Sequence, residues 1–83
     1  MDVLCQIENR TEMERFLKEI LTPAELHDLT LRWELMQKLS SGLSQRQIAS
    51  QLGISLCKIT RGAKILKDTQ SISRKFIEER KCL

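Results

Sequence analysis

The stretch that decides the fold is residues 44–67, SQRQIASQLGISLCKITRGAKILK. Ser44 and Gln47 have the spacing of a capping box, in which each side chain satisfies a free backbone N–H group of the other residue. Gly53 follows the first helical pattern at a position suited to a left-handed turn. Ser55 then offers an N-cap for a second helix. The stretch therefore predicts two short helices joined by a tight turn.

Two short helices joined by a glycine-containing turn are typical of the helix-turn-helix, whose second helix enters the major groove of DNA. The stretch contains five basic and no acidic side chains, so phosphate oxygens would meet no repulsive carboxylate. We therefore predict a DNA-binding segment over about residues 44–67. Any two packed helices joined by a glycine turn would give the same pattern, with lysines that only solvate a helix face, and this alternative stays open.

Charge and composition extend this interpretation to the whole chain. Residues 1–34 carry a net charge of −4 and residues 35–83 a net charge of +7, so the second half is expected to face an anion. The chain is 41% hydrophobic and 30% charged, with three glycines and one proline, which favours an all-α globular protein. Its 83 residues predict a single domain over 1–83 with a marginal core that association between copies would enlarge.

Helical spacing also appears outside the central stretch. Thr11 and Glu14 have capping-box spacing, which predicts a helix over about residues 11–21. Thr22, Pro23 and Glu25 indicate the start of another helix, which ends before a Ser-Ser-Gly sequence at residues 40–42. A last short helix is expected near the C-terminus, with apolar positions at Ile72, Phe76 and Ile77.

Several other classes of protein fit this sequence poorly. No apolar run approaches the length of a transmembrane helix and the first residues lack a basic signal-peptide region, so we expect a cytoplasmic protein with no membrane partner. The three cysteines are odd in number and widely spaced, which favours reduced thiols and no metal. A glycine-rich phosphate loop and a nucleophile with a candidate triad are both absent from the sequence, so we expect no enzyme.

Two residues at the front of the second predicted helix have alternative interpretations. Leu56 and Cys57 could each touch a thymine methyl group, as apolar side chains at the start of a recognition helix do. Leu56 could equally belong to the core. Cys57 lies near a helix N-terminus and beside Lys58, so a redox switch is its alternative role.

Four short motifs occur in a specific order: LTP at 21–23 followed by Arg32, LSQR at 43–46, ITRG at 59–62, and Leu66-Lys67. In this combination the chain resembles the tryptophan repressor family over about residues 20–68. The resemblance implies an intertwined homodimer of helices, whose two recognition helices enter successive major grooves of a palindromic operator. It also implies a transcriptional repressor.

The resemblance further implies L-tryptophan as corepressor, with its ring between Arg32 and Arg61. The other ligand-side positions fall on Gly62, on Ile65 in place of a serine, and on Leu21 and Thr22 of the partner copy. The expected DNA contacts are Arg46, Ala49 in place of a basic residue, Leu56, Cys57 and Thr60, to which the charge and capping patterns add Ser55, Lys58 and Lys64.

Three alternatives remain at this point. Because Ile65 replaces a polar ligand-side residue, the chain could be a ligand-independent regulator or one that answers a different ligand. It could also be a helical protein-interaction module without DNA specificity. A steep salt dependence of DNA binding would argue against such an interaction module. The third alternative is the DNA-binding end of a recombinase.

Overall fold

The computed structural model describes residues 2–81, and within that range it contains α-helices and no strand. The helices are α1 Asp2–Gln6, α2 Arg10–Ile20, α3 Pro23–Ser40, α4 Gln45–Leu52, α5 Leu56–Lys67 and α6 Ile72–Lys81. The all-α prediction is confirmed.

The chain divides into two compact units, Met1–Thr30 and Leu31–Leu83, with the boundary inside α3. The first unit contains α1, α2 and the N-terminal part of α3. The second contains the remainder of α3 together with α4, α5 and α6. The expected single domain over the full chain stays a prediction.

Helix α2 begins earlier than the sequence pattern suggested. Its N-cap is Asn9, whose side-chain oxygen accepts a hydrogen bond from the Glu12 backbone N–H at 2.8 Å and whose Nδ2 donates to Glu12 Oε1 at 3.2 Å. The predicted cap at Thr11 is therefore wrong. Asparagine is as good an N-cap as threonine, and here the capping pair lies two residues before the expected one.

Helix α3 begins as predicted. The Thr22 hydroxyl accepts from the Glu25 backbone N–H at 3.1 Å, and Glu25 Oε1 accepts from the Thr22 N–H at 2.9 Å. Pro23 is the first helical residue, where no N–H partner is needed. After the helix the chain turns at Gly42, whose φ of 96° is strained for other residues.

Helices α4 and α5 are joined by a turn at Gly53. The Ser44–Gln47 capping box is complete at the start of α4, and Gly53 adopts the expected left-handed conformation with φ 64° and ψ 33°. Ser55 stands at the cap position of α5 with an extended backbone. Its side chain makes no capping hydrogen bond. Ser55 therefore lies at the predicted cap position but does not cap the helix through its hydroxyl.

The core of the second unit joins three helices. Leu35 of α3, Ile48 of α4 and Ile59 of α5 form a buried cluster, and both isoleucines are completely inaccessible. Gly62 of α5 is buried against α3, where an added Cβ would lie 3.1 Å from Met36 Sδ. The absence of a side chain at this position therefore leaves room for the side chains of α3, among which Met36 Sδ is the nearest.

Helix α6 begins after a serine cap. The Ser71 hydroxyl accepts from the Arg74 backbone N–H at 3.1 Å. Ile77 is buried, and α6 contacts α5. Ile72 and Phe76 leave 69% and 50% of their surface exposed. Helix α6 is thus buried on one face, and its exposed surface carries apolar side chains.

Candidate nucleic-acid interface

The exposed surface of α5 is the central feature of the candidate site. Cys57, Thr60 and Lys64 follow one another at spacings of three and four residues, which aligns them along one helix face, and all three are exposed. Leu56 begins the same helix and is 53% exposed. Its alternative assignment to the core is therefore wrong for this structure. The opposite face contains buried Ile59.

The N-terminal end of α5 is open. Ser55 is exposed, and among the residues that the structure describes its hydroxyl has no hydrogen-bond partner. The first backbone N–H groups of a helix have no partner within the helix and carry a partial positive charge. A serine hydroxyl and free N–H groups at one helix end can hold a phosphate oxygen.

Helix α4 supplies the second part of the candidate site. The capping box at Ser44 fixes the start of the helix, so Arg46 lies in its first turn with an exposed side chain. Ala49 is half-buried and packs against the core cluster. Its small side chain therefore contributes to the contact of α4 with the core, whereas Arg46 is free to reach an anion.

Two side-chain hydrogen bonds connect the helices of this region. Thr60 Oγ1 of α5 donates to Gln45 Oε1 of α4, with 3.5 Å between the oxygens. Lys38 Nζ of α3 donates to Gln51 Oε1 of α4 at 2.9 Å. These bonds link α4 to α5 and to α3, and the first of them involves a predicted DNA-contacting residue.

The cations of this region have no carboxylate partners. The ion pairs among the side chains that the structure describes, those of residues 2–79, join Arg10 to Glu14 and Arg74 to Glu78, both within single helices. The basic side chains between residues 44 and 67 make no ion pair with any described residue. They are Arg46, Lys58, Arg61, Lys64 and Lys67. An unneutralised positive surface attracts an anionic polymer.

The residues predicted to bind a ligand have mixed environments. Arg32 and Arg61 are exposed, and Ile65 is half-buried one turn beyond Arg61. Gly62 is not open to solvent, because Met36, Leu35 and Leu39 of α3 pack against it. In the second unit, Gly62 is thus a packing position whose nearest neighbour is Met36.

The remaining two predicted ligand residues lie in the first unit. Leu21 is the half-buried C-cap of α2, and Thr22 is exposed and forms the cap of α3.

A separate open groove of about 460 Å³ occurs in the second unit. It is lined by Leu39, Ser40, Leu66, Lys67, Arg74, Ile77 and Glu78, which include none of the predicted ligand residues.

Three residues that support this region have contacts that the sequence pattern did not predict. Gln45, Lys38 and Met36 each contact another helix through a side chain. Gln45 could have been suspected, because it adjoins Arg46 at the start of α4. Met36 lies at helical spacing from Leu29 and Trp33, which indicates a core position but does not identify its neighbour Gly62. Lys38 gives no local signal, because its partner lies on another helix.

No helix between residues 2 and 81 combines the length and apolar character needed to cross a membrane. In the same range, no group of three or more histidine, cysteine and acidic side chains could hold a metal ion.

The fold and this surface define the class: a small all-helical protein with two short helices joined by a glycine turn, of the helix-turn-helix type. The family model of the Trp repressor protein matches residues 1–81, and the chain belongs to this family. Members of the family are transcription regulators rather than enzymes, so the chain is a repressor-type regulator.

Curated relatives give the same family. The chain is 42% identical over 67 residues to a Trp operon repressor homolog of Xylella fastidiosa strain M23, covering 80% of this chain and 73% of the relative. It is 37% identical over 68 residues to a homolog of Vibrio cholerae, covering 81% and 66%. A homolog of Chlamydia trachomatis is 30% identical over 76 residues, covering 86% and 81%. No solved structure gives a significant match.

Proposed function

We propose that this chain is a repressor that binds an operator in double-stranded DNA as a homodimer, with α5 in the major groove. The observation that carries this proposal is the composition of one exposed helix face, where Cys57, Thr60 and Lys64 lie in line and Lys64 forms no ion pair with a described residue. Membership in a family of repressors supports it.

Each part of the surface has a suitable chemistry for one part of the duplex. Leu56 and Cys57 are exposed apolar groups at the front of α5, which suits contact with thymine methyl groups. Thr60 carries a hydroxyl that can bond a base edge. The basic side chains on α4 and α5 and the open N-terminus at Ser55 suit phosphate oxygens, which set the register of the protein on DNA.

Exposed apolar side chains support the homodimer. Val3, Ile20 and Leu29 of the first unit are 39%, 65% and 47% exposed, and Ile72 and Phe76 of α6 are exposed as well. Association with a second copy can bury such side chains, and burial of apolar surface favours association. A second copy that covers them would also supply the second recognition helix that a palindromic operator requires.

L-tryptophan is the corepressor in this proposal. Its ring would lie between Arg32 and Arg61, beside Ile65, with Leu21 and Thr22 contributed by the second copy. Both arginines are exposed and lack an ion-pair partner among residues 2–81. A ligand between them can raise DNA affinity only by binding the DNA-competent arrangement more tightly than other arrangements.

A ligand-independent regulator is the second candidate, favoured by two observations. Ile65 offers no polar atom to an amino group, and Met36 Sδ already packs close to the face of Gly62. A ring that approached Gly62 would have to displace this side chain. In this candidate, Arg32 and Arg61 bind phosphate or solvent, and the recognition helices need no effector.

One selection experiment tests the proposal and separates the two candidates. The purified protein is incubated with fragmented genomic DNA, with and without L-tryptophan, and the bound fragments are sequenced. Enrichment of a palindromic fragment only with tryptophan supports the corepressor, and equal enrichment in both samples supports the ligand-independent regulator. Retention of genomic fragments without any shared sequence would contradict operator binding in either form.

A further inference from the structure

The Thr60 hydroxyl contacts a side chain of another helix. Its Oγ1 donates to Gln45 Oε1 across the α4–α5 contact, and both residues are exposed on the side proposed to face DNA. Gln45 is the first residue of α4, directly after the capping box at Ser44. Completely buried Ile48 and Ile59 belong to the core cluster that joins the same two helices. The helices that carry the two side chains are therefore fixed by core packing.

The direction of this hydrogen bond determines what Thr60 can offer to DNA. A threonine hydroxyl has one hydrogen atom and two acceptor lone pairs. When the hydrogen points to Gln45 Oε1, only the acceptor function remains for a second partner. In the major groove, the donor groups on base edges are the N6 amine of adenine and the N4 amine of cytosine.

We propose that Gln45 is a positioning residue that orients Thr60 as a hydrogen-bond acceptor, so that Thr60 selects a base with an exocyclic amine, adenine or cytosine. This inference rests on the proposed binding of DNA by α5. Gln45 itself keeps its Nε2 free of partners among residues 2–81, so this amide can also bind a phosphate oxygen while Oε1 holds Thr60.

The first test selects binding sites from a pool of duplexes with random sequence. The wild-type chain, Thr60→Ala, Gln45→Ala and the double variant are compared, with Gln70→Ala as control because Gln70 lies in the α5–α6 loop. We expect Thr60→Ala to relax the preference at one position of each half-site. Gln45→Ala should relax the same position, and the double variant should lose no more than Thr60→Ala alone.

The second test identifies the base group that Thr60 contacts. In the selected duplex, the adenine at the Thr60-dependent position is replaced by purine, or the cytosine by 2-pyrimidinone, because each replacement removes only the exocyclic amine. Wild-type affinity should fall by roughly two- to tenfold, the range of one neutral hydrogen bond. The Thr60→Ala and Gln45→Ala variants should bind both duplexes with nearly equal affinity.

A charged variant tests the direction of the Gln45–Thr60 bond. Gln45→Glu provides only acceptor oxygens, so it should keep the same base preference while lowering the overall affinity. Gln47→Glu is the matched control, because it adds the same charge two residues away and can still complete the capping box. Loss of the base preference in Gln45→Glu, with the preference intact in Gln47→Glu, would overturn the inference.

The outcomes separate this inference from the function on which it rests. If the wild-type chain selects no shared sequence, the proposed operator binding fails and this inference fails with it. If the wild type selects a site but Gln45→Ala keeps its full preference, or if removal of the amine has no effect, operator binding stands and the positioning role of Gln45 is wrong.

Discussion

Replacing Ile59 by alanine should destabilise the fold strongly, whereas replacing nearby Leu56 should not. Ile59 is completely inaccessible and belongs to the core cluster of three helices, and Leu56 is 53% exposed although it lies on the same helix. The two positions therefore separate core packing from the surface proposed to meet DNA.

The magnitude follows from the groups removed. Isoleucine to alanine deletes three carbon atoms, which contribute about 2.4 kcal/mol at roughly 0.8 kcal/mol per buried carbon. Incomplete collapse of the remaining cavity adds to this loss, so we expect Ile59→Ala to lower the free energy of unfolding by about 3–4 kcal/mol. An 83-residue protein is stable by about 4–12 kcal/mol in total, so this loss is a large fraction.

Urea unfolding followed by circular dichroism measures this difference. All variants must be compared at one protein concentration, because dimerisation would make the midpoint depend on concentration. Leu56→Ala should change the free energy of unfolding by less than about 1 kcal/mol, since half of its side chain already meets water. Ile59→Val should fall between them, at about 1 kcal/mol.

Binding of DNA by the same variants completes the experiment. Leu56→Ala should fold normally and lose affinity for the selected operator, because an apolar contact at the front of α5 is removed. If Ile59→Ala unfolds at the same urea concentration as the wild type, the assignment of the core is refuted. If Leu56→Ala destabilises the fold as strongly as Ile59→Ala, Leu56 is a core residue after all.

Three further substitutions test separate parts of the account. Gly53→Ala should cost about 1–2 kcal/mol in urea unfolding because its φ is +64°, while Gly53→Asn should cost less, and equal stability of the alanine variant would argue against the left-handed turn. Lys64→Gln should weaken binding to every DNA sequence. In a homodimer it removes two phosphate contacts and should reduce the slope of log affinity against log salt by about two, so an unchanged slope would remove Lys64 from the phosphate contacts. Arg61→Ala should fold normally, because Arg61 is exposed. Its DNA binding should no longer respond to tryptophan, and a retained response would exclude Arg61 from the ligand site.

Local signals predicted the ends of several helices. The Thr22–Glu25 pair, the Ser44–Gln47 box and the left-handed turn at Gly53 all depend on residues within four positions of each other. Such interactions form whenever the helix forms. Where two caps competed, as at Asn9 and Thr11, the pattern alone did not identify the one that the helix uses.

Sequence patterns predicted only part of the candidate site. The positive charge and the helix-turn-helix pattern indicated the surface, because composition and spacing can be read from the chain. The contacts of Thr60 with Gln45 and of Gly62 with Met36 join residues that are distant in sequence. They depend on how the helices cross. Spacing places Gly62 on the same face of α5 as Ile59, but it could neither identify Met36 as the neighbour of Gly62 nor distinguish the core and surface roles of Leu56.

The central claim is that α4 and α5 bind one DNA sequence in preference to others. Fluorescence anisotropy would compare the selected operator with a scrambled duplex of the same composition, at two salt concentrations and with tryptophan present. The account predicts that the operator binds at least about a thousandfold more tightly, in the range of specific DNA-binding proteins, and that added salt weakens both complexes. Equal affinity for the two duplexes would contradict sequence-specific binding.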